Sequence, residues 1–305
     1  MTELLDMNIS SNTYRGRFAP SPTGPLHFGS LVAAVGSYLD ARSHDGEWLI
    51  RIEDLDPPRE VYGASREILD TLKTLGMESD APVIYQSGRS STYESVLADL
   101  NRGRHIYPCA CSRKEITDST QGGHIYPGTC RNGLPPDRNP RSLRVKVNEA
   151  DIRFIDRLYG KIRQQLDLTV GDFVVRRADQ LTAYQLAVVV DDARQNITHV
   201  VRGSDLLDST PRQIHLQRLL GYPVPEYLHL PIAVNASGEK LSKQTGATAV
   251  TTIKPSRILT VVLEFLGQKP PRDLRDSTLA EFWQWGIENW DPARIPVKQS
   301  LPAPE

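Results

Sequence analysis

The sequence predicts an α/β protein: a parallel sheet flanked by helices, interrupted by a metal-binding insertion and followed by a short helical region. Three observations lead there. Strand-like and helix-like stretches alternate up to about residue 105 and again from residue 149, the pattern that builds parallel sheets through crossover helices. Between these runs the periodicity stops, and all three cysteines fall inside the break. After residue 251 only helical spacing remains. The expected divisions are a flexible tail (1–12), the first half of the α/β unit (13–105), the insertion (106–148), the second half (149–250) and a helical C-terminal region (251–305).

Composition fits a globular protein with a sizeable core: 39% hydrophobic and 24% charged residues over 305 positions. No run of about 18 apolar residues offers a membrane span. Residues 1–12 carry Glu3 and Asp6 and no basic residue, unlike a signal peptide, so a cytoplasmic location is expected. A net charge of −1 neither favours nor excludes a nucleic-acid partner.

Residues 14–18 form the first expected strand. A loop with Pro20, Pro22, Gly24 and Pro25 follows, and Leu31, Val32, Val35, Tyr38 and Leu39 then mark a helix over 30–41. Strand, Pro/Gly loop and helix N-terminus together make an anion site, with His27 just ahead of the unpaired N–H groups. Alone, such a His-x-Gly is an ordinary turn. Small residues near Gly36 indicate close packing on the sheet. A second strand over 47–53 ends in the acids Glu53, Asp54 and Asp56, where open α/β sheets place ligands. Helices are expected over 61–75 and 89–100.

From 107 to 140 the chain is rich in Gly, Pro, Arg and Asn. So long a structureless loop needs another source of order. Cys109 and Cys111 on one turn and Cys130 on a second suit tetrahedral Zn²⁺. Tyr126, His124 and His105 are the local candidates for a fourth ligand. Basic residues there (Arg113, Lys114, Arg131, Arg138, Arg141) are candidate phosphate contacts.

Strands are expected over 142–147 and 151–159, then a polar segment and the stretch 171–177. Helical or mixed apolar character returns over 183–192, and a β-branched strand over 197–201 leads to Arg202-Gly203-Ser204-Asp205-Leu206. Thr210-Pro211 caps a helix closed by Gly221. Lys240 and Lys243 lie in a small basic loop over 238–246. Helices over 256–266 and 278–287 and a Pro-bearing tail end the chain.

Together these pieces are no longer independent. His27-Phe28-Gly29-Ser30 stands where class I aminoacyl-tRNA synthetases of the glutamyl type carry their HIGH signature, and Lys240-Leu241-Ser242-Lys243-Gln244 where they carry KMSKS. The stretch from Arg17 to Gly24, Arg51-Ile52-Glu53-Asp54-Leu55-Asp56, Tyr184-Gln185-Leu186-Ala187 and Arg202 to Leu206 extend the resemblance in order over about 14–250. It implies a Rossmann-type class I catalytic fold. The stretch after Gln244 is too short for that family's helical anticodon-binding domain. This feature, with Cys-x-Cys followed by Tyr-x-x-x-Cys, resembles the family's short branch, which glutamylates queuosine at the wobble position of tRNA(Asp). The alternatives are a truncated synthetase charging a tRNA 3′ end and a catalytically silent RNA-binding relative.

The resemblance implies the roles. His27, Gly29, Lys240 and Lys243 are the expected catalytic set. Pro20, His27, Gly29, Ser30 and Lys243 hold ATP with its Mg²⁺. Arg17, Phe18, Ala19, Pro20, Ser21, Glu53, Tyr184 and Arg202 hold L-glutamate: the arginine forks take carboxylates, and Glu53 takes the ammonium. Cys109, Cys111, Tyr126 and Cys130 hold one structural Zn²⁺. The implied partners are ATP, L-glutamate and tRNA(Asp) carrying queuosine, with no membrane and a monomeric chain.

Overall fold

The computed structural model describes residues 13–120, 125–235, 237–240 and 254–304. The expected tail (1–12), His124 and Lys243 lie outside them.

The first half runs β1 (Arg15–Phe18), α1 (Phe28–Arg42), β2 (Glu47–Ile52), α2 (Ala64–Thr74), β3 (Ile84–Tyr85) and α3 (Ser90–Arg102). β1, β2 and β3 pair in parallel, with Arg17 opposite Leu49 and Arg51 opposite Ile84. Next come β4 (Ile106–Cys109), α4 (Arg113–Ser119), β5 (Ser142–Val145), β6 (Asp151–Asp156), β7 (Gly160–Gln165), the single turn α5 (Leu166–Thr169) and β8 (Phe173–Arg176). The second half supplies α6 (Tyr184–Arg194), β9 (His199–Gly203), α7 (Thr210–Leu220), β10 (Glu226–Leu230) and β11 (Ile232–Val234). α8 (Pro255–Phe265), α9 (Leu279–Asn289) and β12 (Ser300–Pro302) complete the described elements.

β9, β10 and β6 are parallel neighbours, and β7 returns antiparallel on β6. The Thr198 N–H donates to the Arg15 carbonyl over 2.9 Å, which sets β9 beside β1. The parallel sheet expected from the alternation is therefore present.

Helices cover both faces, as a buried parallel sheet requires. α1 packs with α8 and α9 through Leu31, Val35, Leu39, Leu259, Leu263 and Phe282. α3, α6 and α7 cover the other face through Tyr93, Leu97, Leu186, Val189 and Ile214. At Gly36 an added Cβ would lie 2.5 Å from Leu230 Cδ1, so only glycine lets α1 approach β10 this closely. Asp40 is buried on α1 and accepts hydrogen bonds from Tyr14, Arg157 and Trp290.

Three details differ from the sequence reading. The polar segment after β6 is a strand: β7 has only one large apolar residue, Ile162, and belongs to a solvated hairpin. β8 joins β4 and β5 in an antiparallel sheet, so the insertion leans on a strand from beyond residue 148. The tail is ordered: β12 pairs with β11 and Ile295 is buried. No helix among the described residues is long and apolar enough to cross a membrane.

Candidate active site and metal centre

The carboxyl ends of β1, β2, β9 and β10 open onto a cleft of about 320 Å³. Of the residues expected to bind substrates, Arg17 to Ser21, His27, Gly29, Ser30, Glu53, Tyr184, Arg202 and Lys240 all line it. The strand ends bring together residues separated by most of the chain.

His27 is the N-cap of α1. Its Nδ1 accepts the Ser30 N–H at 3.3 Å, and its Nε2 lies 3.0 Å from Ser30 Oγ. The sequence reading expected the helix N–H groups around Ser30 to face a phosphate; here the imidazole takes the Ser30 N–H. A Cβ at residue 29 would lie 3.2 Å from the His27 ring, so glycine there gives the imidazole room. Lys240 pairs with Asp205 Oδ2 at 2.5 Å and is half-exposed.

The cleft floor is a buried charge network that the sequence reading missed. Arg17 Nε donates to Asp192 Oδ1 at 3.2 Å, and Arg51 donates to Asp192 at 2.8 Å, to Gln195 Oε1 at 2.7 Å and to Glu53 Oε1 at 3.2 Å. Burial would push the Asp192 carboxyl up, but Arg17 and Arg51 hold it below the usual carboxylate range. Burial wins at Glu53: its carboxyl is raised although Arg51 and Arg17 pull it down. A signal existed. Arg51 is a lone charge inside the apolar strand β2, and Asp191-Asp192 is an acid pair inside an apolar helix.

Arg202 forms the opposite wall. Its Nε donates to His229 Nε2 at 3.1 Å and its Nη2 to Thr210 Oγ1 at 2.7 Å. Its Nη1 is buried with no hydrogen-bond partner among the described residues. An orphaned guanidinium donor on a cleft wall suits a carboxylate ligand.

In the insertion, the Sγ atoms of Cys109, Cys111 and Cys130 lie within 4.8 Å of one another. Tyr126 Oη is 3.4 Å from Cys109 Sγ and 3.8 Å from Cys111 Sγ, and Cys111 and Cys130 are 3.7 Å apart. Thiolates at about 2.3 Å from a zinc ion form a tetrahedron with edges of roughly 3.8 Å, so the donor set fits the ion. His105 is not part of the cluster. Arg144 Nε reaches Cys109 Sγ at 3.2 Å, and its guanidinium stacks 3.8 Å over the Tyr126 ring. Burial pushes the Cys109 thiol up, yet Tyr126, the Cys111 backbone and Arg144 hold it below its ordinary value. Arg138 pairs with Glu115 and Arg131 with Asp172, so these two candidate RNA contacts are already engaged within the insertion.

A family model described as the catalytic domain of class I tRNA synthetases (E and Q) matches residues 13–257. The chain belongs to that family. Among its relatives, a protein of Dechloromonas aromatica named glutamyl-Q tRNA(Asp) synthetase is 56% identical, over 95% of this chain and 98% of its own. One of the same name from Aromatoleum aromaticum is 52% identical, over 95% and 93%. The crystal structure of a glutamate tRNA ligase from Elizabethkingia meningosepticum, in complex with its amino acid, matches with a TM-score of 0.80 and 26% identity. That match covers 96% of this class I synthetase chain and 67% of the ligase. The class I fold expected from the motifs is therefore the fold of this chain.

Proposed function

We propose that this synthetase activates L-glutamate with ATP and transfers the glutamyl group to queuosine at the wobble position of tRNA(Asp). The observation that carries the reading is the likeness, over nearly the whole of both chains, to proteins named for that activity. The orphaned Arg202 donor in the cleft supports glutamate as the amino acid.

In the first step a glutamate carboxylate oxygen attacks the α-phosphorus of ATP, and the bond to pyrophosphate breaks. Catalysis is mainly positioning and neutralisation of phosphoryl charge. His27, Gly29, Ser30 and Pro20 line the cleft and would hold the nucleotide, and Lys240 would exchange Asp205 for a phosphate. Lys243 completes the expected set. Mg²⁺ accompanies ATP on its phosphates. Arg202 takes one glutamate carboxylate, Arg17 contributes a second positive wall, Glu53 faces the ammonium and Tyr184 adds a polar contact. In the second step the acceptor hydroxyl attacks the glutamyl carbonyl, and AMP leaves.

Cys109, Cys111, Cys130 and Tyr126 would hold one zinc ion, which supplies a structural cross-link and takes no part in the chemistry. The divisions at 13–105 and 149–250 fit two halves of one catalytic unit, and the cytoplasm, where tRNA and ATP are found, is the proposed location.

The test is transfer of labelled glutamate to tRNA(Asp) with and without queuosine. Label is expected only on the queuosine-bearing RNA. Equal labelling of both, or charging of a 3′ end, overturns the reading.

A further inference from the structure

Behind Arg202, three neighbouring strands carry a buried chain of polar groups, two of which, Asp156 and His229, have no role so far. Asp156 ends β6, His229 lies on β10, and Arg202 lies directly opposite His229 on β9. The side chains of Asp156 and His229 are fully buried. A guanidinium does not lose its proton, so Arg202 Nε is always a donor. The ring nitrogen facing it at 3.1 Å, His229 Nε2, must therefore accept. That leaves the ring proton on Nδ1, which points at Asp156 Oδ2 over 2.7 Å.

Asp156 is suited to enforce this tautomer. Its Oδ2 also accepts the His229 backbone N–H at 3.2 Å, and its Oδ1 accepts the N–H groups of Leu158 and Tyr159, each at 3.0 Å. All four contacts are donors, so only a carboxylate satisfies them. Burial, with Arg202 nearby, holds the imidazole down to about 4 against the pull of Asp156, so the ring is neutral and able to accept.

We propose that His229, locked in its Nδ1–H form by Asp156, is a positioning residue that fixes the Arg202 fork with Nη1 toward the substrate. It thereby sets the enzyme's demand for a carboxylate. This rests on the reading of Arg202 as a glutamate partner. With Nε on His229 and Nη2 on Thr210, Nη1 is the guanidinium nitrogen left without a partner among the described residues, and its direction is set before substrate arrives. Fixing a charged donor in advance removes its reorganisation from the binding step.

The experiment compares His229→Asn with His229→Gln in glutamate-dependent ATP–pyrophosphate exchange. Asn keeps an N–H near the Nδ1 position for Asp156 but offers nothing to Arg202. Gln places an amide oxygen near Nε2. The Asn variant is expected to raise the KM for glutamate roughly ten- to a hundredfold, leave the KM for ATP within about twofold, and narrow the preference for glutamate over glutamine. The Gln variant should recover most of the loss. Equal behaviour of the two variants, or a parallel rise in both KM values, overturns the proposal. Arg202→Ala separates the two readings: if it leaves the glutamate KM unchanged, the assignment of Arg202 itself fails. If Arg202→Ala raises the KM and His229→Asn does not, only the positioning role fails. A measurement on the unmodified chain covers variants that do not fold. Histidine ¹⁵N shifts should report the Nδ1–H tautomer for His229, and an Nε2–H tautomer overturns the proposal.

Discussion

The cleft and the cysteine cluster reach order by opposite means. The cleft is held by ion pairs between strands and helices of a large apolar core, with Arg51, Asp192 and Arg17 buried together. The cluster has a core of only a few residues, Tyr107, Cys109, Ala110, Tyr126 and Cys130, gathered around three sulfurs. Charges in the first region are aimed before any ligand arrives, because the fold surrounding them is already stable. The second has little apolar surface of its own, and the proposed zinc ion would supply what packing does not. On the proposed reading, recognition of a small charged substrate is built on the part with the large core, and the cysteine-rich part is free to serve another purpose.

The strongest way to break this contrast is Asp192→Asn. It strips Arg17 of its ion-pair partner and leaves Arg51 with Glu53 and Asp191, and a loss of roughly 3–5 kcal/mol is expected by chemical denaturation. The pH dependence follows from the sign of the shift. Because the folded carboxyl sits below its ordinary value, its stabilisation is complete above the unfolded value of about 4. It is lost as pH falls through the folded value. The variant should lack that part of the acid response. Arg202→Ala comes next: kcat/KM for glutamate is expected to fall about a hundredfold with little change in melting temperature, since on the proposed reading it removes a charged contact to substrate.

Chelation sharpens the other side. Metal analysis should find about one zinc per chain. Its removal should expose amides of residues 106–145 to hydrogen exchange while those of β1 and β9 stay protected. Uniform loss of protection would show that the two regions are not independent. The smallest effect is expected for Gly29→Ala. The added methyl meets the His27 ring at 3.2 Å, so a severalfold rise in the KM for ATP is expected, with stability changed by about 1 kcal/mol or less.

Much of this was legible in the sequence, for physical reasons. Buried parallel strands and two-sided helices leave apolar periodicity, so β1, β2, β9 and the helices α1, α3, α6 and α7 are found near their expected places. Motif residues such as His27 and Arg202 were visible through spacing and resemblance. β7 and β12 were not. Each is held by backbone pairing at a sheet edge, which needs no particular side chains. The partners of the site residues were equally hidden. Asp156, Asp192, Thr210 and His229 act through contacts between residues distant in the chain, and no local pattern marks such pairs. The one signal was a polar residue in apolar surroundings, as at Arg51, the Asp191–Asp192 pair and His229.

Asp40 has one consequence for how the molecule is made. Its carboxylate collects Tyr14 from just before β1 and Trp290 from just beyond α9, 276 positions apart in the sequence. A nascent chain emerging from the ribosome can form β1, α1 and β2 early, but this carboxylate lacks its last donor until residue 290 has been released. The closing contact waits for residue 290, so a chain interrupted shortly before that point carries every signature motif and still holds an incompletely paired charge at its core.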